Sequence, residues 1–154
     1  MRRALLLGSL GLLAALGINP VASQPADPSA VKAANAAFYS ALAARDISAM
    51  ERIWARDDQI SNVFSRTKTL SFGQSAIKAD YERLFKLLGD VPSAVMAEPS
   101  VRLQGDMAIV IGVEIIQVKL PNGELQKSFP VATNVFVKQG TEWMMVHHHT
   151  SRPE

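Results

Sequence analysis

Three consecutive histidines, His147-His148-His149, are all the histidines in the chain. They follow Trp143-Met144-Met145-Val146, and this run is joined by Gln139-Gly140-Thr141 to a second apolar run, Thr133 to Lys138. The pattern predicts two strands of a hairpin. Successive strand side chains point to opposite faces. Ideal alternation therefore groups Trp143, Met145, His147 and His149 on one face and Met144, Val146, His148 and Thr150 on the other. Imidazoles at His147 and His149 could serve as a general base or bind a ligand. They could also simply cover the mouth of a cavity or bond to neighbouring strands. Two histidines without a firm third ligand do not define a metal site, so no metal or other cofactor is expected. His148 is expected to face away, towards solvent or a dimer surface.

Other residues could join this chemistry. Asp57 and Asp58 follow Trp54. A carboxylate beside an indole could have a raised pKa and act as a base, or the pair could merely end a helix in solvent. Asp58 is the better candidate, being nearer the next strand. Tyr39 could aim its hydroxyl into a cavity as an oxyanion donor or pack at the sheet edge. Trp54, with Phe64, Tyr81 and Phe85, suits a pocket wall or core. Asn134 interrupts the apolar run Val131 to Val137. A buried amide must be paired, so it bonds to a neighbouring strand or faces a pocket. Arg152 suits a structural ion pair near the C-terminus.

The elements that position these residues follow from periodicity. Val31, Ala34, Phe38, Ala41 and Leu42 recur at helical spacing and predict a helix over 28–44. Asp46 is placed to cap a second helix, 47–54, and Ile77, Tyr81, Leu84, Phe85 and Leu88 mark a third over 75–88, with Gly89 as its stop. A short strand is allowed at 59–64. After Gly89 the period changes to 2, with strands expected at 95–104, 106–120, 125–138 and 142–150. Pro121-Asn122-Gly123-Glu124 carries a strong hairpin signal. The predicted class is α+β, a curved antiparallel sheet packed on three N-terminal helices. On the strand 106–120, Ala108, Val110, Gly112 and Glu114 share one face; Met107, Ile109, Ile111, Val113 and Ile115 share the other. If the first set lines a cavity, the second is too apolar for water and calls for a partner, which predicts a homodimer.

At 154 residues, 48% hydrophobic and without cysteine, the chain has the length of one domain. Disulfides and thiolate chemistry are excluded. Met1-Arg2-Arg3, the apolar stretch Ala4 to Ile18, Asn19-Pro20 and Val21-Ala22-Ser23 predict a signal peptide over 1–23. The apolar run is short for a bilayer span. Residues 24–28 read as a linker and 29–154 as the domain. Export would make the protein periplasmic or secreted, with no membrane attachment after cleavage. Loss of Arg2 and Arg3 leaves 14 basic against 14 acidic residues, without a basic cluster, so no nucleic-acid partner is expected.

The ordered set Asp46-Ile47-Ser48-Ala49-Met50-Glu51-Arg52-Ile53-Trp54-Ala55-Arg56-Asp57-Asp58, Gly73 with Ala76-Ile77, Gly105-Asp106-Met107-Ala108-Ile109-Val110, Ala132-Thr133-Asn134-Val135-Phe136 and Trp143 to Ser151 resembles the SnoaL-like branch of the nuclear-transport-factor-2-like superfamily. The resemblance implies a cystatin-like cone, a bent sheet wrapped on a long helix around a pocket, often dimeric across the outer sheet face. It also implies that the segment after the second helix and the end of the last strand approach one side of that pocket, which would bring Asp58 and His149 together. Relatives often carry a histidine or proline soon after the Asp-Asp pair. Here Gln59 to Arg66 supplies neither, removing one candidate base. The superfamily hosts isomerases, cyclases, hydrolases, transport factors and non-catalytic modules, so fold does not transfer chemistry. Three readings follow. The first is an exported protein binding a small apolar or amphipathic ligand through Tyr39, Trp54, Asn134, His147 and His149. The second is an isomerase, cyclase or hydrolase with Asp58 or His149 as base. The third is a homodimeric interaction module.

Overall fold

A computed structural model describes residues 27–64 and 69–152. The expected signal peptide lies outside the described residues. Helix α1, Ser29–Ala44, opens on Pro28, while the Asp27 carboxylate accepts from the Ser29 backbone N–H at 2.9 Å. Arg45, in the left-handed conformation, ends it. The Asp46 side chain then accepts from Ala49 N–H at 2.9 Å and starts α2, Ile47–Ile53, satisfying one of the donors a helix start leaves free.

Two strands precede the third helix. β1, Ser61–Phe64, and β2, Thr69–Phe72, form a hairpin before α3, Gln74–Leu87. The allowed short strand at 59–64 thus acquires a partner in a stretch too mixed to predict. Gly89 does not act as a left-handed stop; Leu88 caps α3 in an extended conformation. Gly89 is small for another reason. A Cβ there would stand 2.5 Å from the Lys119 carbonyl oxygen.

β3, Ser93–Gln104, and β4, Met107–Lys119, follow. The expected strand 125–138 is divided at Phe129-Pro130 into β5, Leu125–Ser128, and β6, Val131–Gln139, both pairing with β4. Proline cannot donate to a ladder, so the run breaks there. β7, Glu142–Ser151, closes the chain. The sheet order is β2-β1-β7-β6-β4-β3, with β5 beside β4. The sheet is mixed rather than wholly antiparallel, because β1 runs parallel to β7. A bulge at Ala97/Ser100, with Glu98 at positive φ, bends β3. Gly112 on β4 lies under this bend, where a Cβ would approach Met96 Cγ to 2.7 Å.

The three helices cover one face of the curved sheet. Asn35, Phe38, Tyr39 and Leu42 lie on a single stripe of α1 and are all buried. The apolar ones share one core with Ala108 and Val110 of β4, Ala132 and Phe136 of β6 and Met145 of β7, while Tyr39 and Asn35 bond to Glu114 of β4 and Asn134 of β6. The outer face of β4 is different: Met107, Ile111 and Val113 remain 41–48% exposed.

Candidate functional site

One bulge decides which histidine enters the interior. On β6 and β7, Val135 pairs with His147 but Phe136 pairs with Met145, so Val146 is an extra residue. An inserted residue reverses the phase of every side chain beyond it. Met145, His148 and Thr150 therefore face the core, at 0, 2 and 6% exposure. The expected outward orientation of His148 is overturned, and with it the grouping of Met145 with His147 and His149. His147 bonds Ser61 Oγ through Nδ1 at 2.8 Å on the other side of the sheet, and burial and the neighbouring His149 lower its pKa. His149 is exposed, its ring 6.3 Å from that of His147.

Five side chains from four elements form a continuous buried network around His148. Its Nδ1 lies 2.6 Å from Asn134 Oδ1, which can only accept, so the neutral ring carries its proton on Nδ1. Asn134 Nδ2 donates to Asn35 Oδ1 at 2.7 Å and to the Tyr39 hydroxyl at 3.3 Å. Tyr39 donates in turn to Glu114 Oε1 at 2.9 Å. His148 Nε2 is then the acceptor nitrogen of the ring, 4.0 Å from Glu114 Oε1. That distance is too long for a direct hydrogen bond.

Nor are the two an ion pair. Burial raises the Glu114 carboxyl to about 7, and the Tyr39 hydrogen bond opposes the rise. Burial, with the nearby His147 and His149, lowers His148 to about 3. At neutral pH the imidazole is neutral and Glu114 is poised between acid and base. Burial and the Glu114 charge also raise Tyr39, which stays a donor.

Glu114 and His148 both open on a cavity of about 80 Å³, several times the roughly 10–15 Å³ that admits one water. Its walls are mostly apolar, including Phe38, Leu42, Phe64, Tyr81 and Leu84, with Arg152 also lining it. The break at Pro130 bears directly on this geometry, since the Glu114 backbone N–H donates to the Pro130 carbonyl at 2.8 Å. Larger open grooves flank Arg45 and Asp90, one of about 610 Å³, but they gather no comparable buried network.

The residues expected from sequence divide accordingly. Asn134 and Tyr39 belong to the network; Trp54 is buried in the adjoining core, its ring 6.5 Å from that of Tyr81. Asp58 is exposed and lies against Gly73 at the start of α3, and neither it nor His149 lines the cavity. Among the described residues, no group of three metal-ligating side chains converges. Sequence reasoning missed Glu114 as a site residue. The available signal was a carboxylate on the Ala108-Val110-Gly112 face of a long apolar strand.

A family model described as a SnoaL-like domain matches residues 31–154. No curated protein matches. Similar solved structures include a protein of the nuclear-transport-factor-2-like family from Streptomyces avermitilis, provisionally named a dehydratase. It is 24% identical with a TM-score of 0.75 over 83% of this chain and 97% of that one. A provisionally named calcium/calmodulin-dependent protein kinase type II association domain from Thiobacillus denitrificans is 27% identical, with a TM-score of 0.67 over 77% and 90%. The calcium/calmodulin-dependent protein kinase II hub of S. rosetta is 24% identical, with a TM-score of 0.66 over 83% and 98%.

Proposed function

The chain belongs to the SnoaL-like domain family, and we propose that it binds a small apolar or amphipathic molecule in the Glu114–His148 cavity and moves a proton on it. The carrying observation is the pair itself. Two ionisable groups face each other at 4.0 Å, both open on one apolar cavity, and the carboxyl titrates near 7. A general base works best when its pKa lies near the operating pH. Glu114 as carboxylate takes the proton from the bound molecule and returns one as carboxylic acid, while His148 Nε2 can only accept a hydrogen bond from that molecule. Tyr39 and Asn134 hold the two groups in place. The provisional name of the Streptomyces relative is compatible with this class of chemistry. Cyclohexanone in D₂O is a suitable probe. The protein should accelerate deuteration next to the carbonyl at pH 7, and Glu114→Gln should lose roughly 10²-fold or more of that rate. Equal rates for the two proteins would refute proton transfer.

A specific observation also favours assembly. Val95, Met107, Ile111 and Val113 stand exposed on the outer sheet face, the side opposite the helices. We infer that a second copy covers it, a reading supported by the similarity to association domains and hubs. Light scattering at micromolar concentration should give at least twice the chain mass, and Ile111→Glu should reduce it to that of one chain. A monomeric parent protein sinks this reading.

Export remains part of the proposal, supported by the Arg2-Arg3, apolar and Val21-Ala22-Ser23 succession. N-terminal sequencing of protein from the cell envelope or medium should begin near Gln24. A cytosolic protein retaining Met1 would contradict it.

A further inference from the structure

The Glu114–His148 cavity changes character from its floor to its mouth. At the floor, Glu114 lies 4.0 Å from His148, and the Phe38 ring lies 4.8 Å from His148 and 6.2 Å from Tyr81. All four residues are buried. Leu88, Ile116 and Val118 of the wall are half-buried, and Arg152 is exposed. An exposed residue that lines a cavity stands at its mouth. The bulge in β7 accounts for the placement. Beyond it, His148, Thr150 and Arg152 take alternate positions, and all three line the cavity.

The charge at the mouth is opposite to that at the floor. His148 is neutral at neutral pH, so Arg152 is the only cation among the described residues that line the cavity. The structural ion pair expected for Arg152 from the sequence does not form among the described residues. Its planar fork of N–H donors is what an anion entering the cavity meets first.

We propose that Arg152 binds the carboxylate of an amphipathic monocarboxylic acid at the mouth, with the apolar body of the acid along Leu88, Ile116 and Val118 and its reacting carbon at Glu114 and His148. This rests on the cavity being a ligand site, and it names the ligand class. A guanidinium matches a carboxylate with two parallel hydrogen bonds. One positive charge balances one negative charge. A phosphate monoester carries close to two at neutral pH and would bring the excess into a cavity that already holds Glu114. The orientation follows from the same charges. A ligand carboxylate set against Glu114 would bury like charges together, which disfavours both, so the charged end stays outside. Four strand steps separate His148 from Arg152, about 13 Å at roughly 3.3 Å each. The carboxylate therefore sits several bonds from the reacting carbon rather than next to it.

4-Oxocyclohexanecarboxylate and 4-oxocyclohexanecarboxamide share a ring, a ketone and nearly a shape, and differ in charge. Each is titrated by NMR at pH 6 into the parent protein, Arg152→Gln and Arg152→Lys. At that pH Glu114 is mostly protonated and the free acid mostly ionised. The parent should prefer the carboxylate by about 3- to 5-fold, the upper range for a solvent-facing ion pair. Salt at about 1 M should remove most of that preference. Arg152→Gln should show none, and Arg152→Lys should keep about 2-fold. Both variants should melt within about 2 °C of the parent, because position 152 is exposed. A parent without the preference overturns the proposal. So does an Arg152→Gln protein that keeps it, or one that loses affinity for both compounds equally, which would mean that Arg152 only covers the mouth with its apolar stem. The cyclohexanone exchange assay reports on Glu114 separately. Glu114-dependent exchange with no carboxylate preference defeats the Arg152 anchor alone. An Arg152-dependent preference without Glu114-dependent exchange defeats the proton-transfer reading alone. Failure of both compounds to bind the parent defeats both.

Discussion

Replacing Glu114 by glutamine should make the protein more stable than its parent above neutral pH while removing its proton-transfer activity. Between pH 4.5 and about 7 the folded protein holds a proton on Glu114 that the unfolded chain has released. Stability conferred by this group therefore falls as pH rises through that window. The displacement from 4.5 to about 7 corresponds to about 3 kcal/mol at most, at roughly 1.4 kcal/mol per pH unit. His148 acts in the opposite sense. Its folded pKa of about 3 lies below the ordinary 6.5, so stability is lost as pH falls from 6.5 towards 3. In the parent the two slopes nearly cancel between pH 4.5 and 6.5. In Glu114→Gln only the histidine slope remains, and the amide oxygen can still accept from Tyr39. Denaturant midpoints at pH 5 and pH 8 measure the difference directly. A gap between variant and parent that does not widen with pH would mean that Glu114 ionises as freely in the fold as outside it.

The second large effect separates two adjacent histidines. His148→Ala should cost about 3–5 kcal/mol, because it empties a ring-sized space in the core and strands the Asn134 carbonyl oxygen. For a domain of this size that lowers the melting temperature by roughly 10 °C. His149→Ala, at an exposed position, should change stability by about 0.5 kcal/mol or less. Thermal melts of the two purified variants decide the matter. Similar melting temperatures for both would contradict the inward placement of His148.

Nearly all of the helical layer was legible in the sequence, for a physical reason. The stripes Val31-Phe38-Leu42 and Ile77-Tyr81-Leu84 carry a strong 3.6-residue period, and Asp46 is a cap whose chemistry is local. The long strands β3, β4 and β7 were equally plain from their twofold alternation, and β4 announced its inward and outward faces. Asn134 stood out as an amide in an apolar strand, and it is the centre of the buried network.

Tertiary structure decided the rest. The extra residue at Val146 arises from how β7 is matched to β6, and nothing in Met145-Val146-His147 declares it. That single offset moved the inward position from His147 and His149 to His148. The parallel pairing of β1 with β7 joins residues more than 80 positions apart, so no local signal could place Asn62 beside His148. Glu114 was visible as a carboxylate on the inward face, yet its raised pKa comes from burial, and the hydrogen bond that opposes the rise comes from Tyr39, 75 residues away. Periodicity and capping are properties of neighbours along the chain and can be read from it. Register, burial and the meeting of Glu114 with His148 are properties of distant segments, and only the folded chain fixes them.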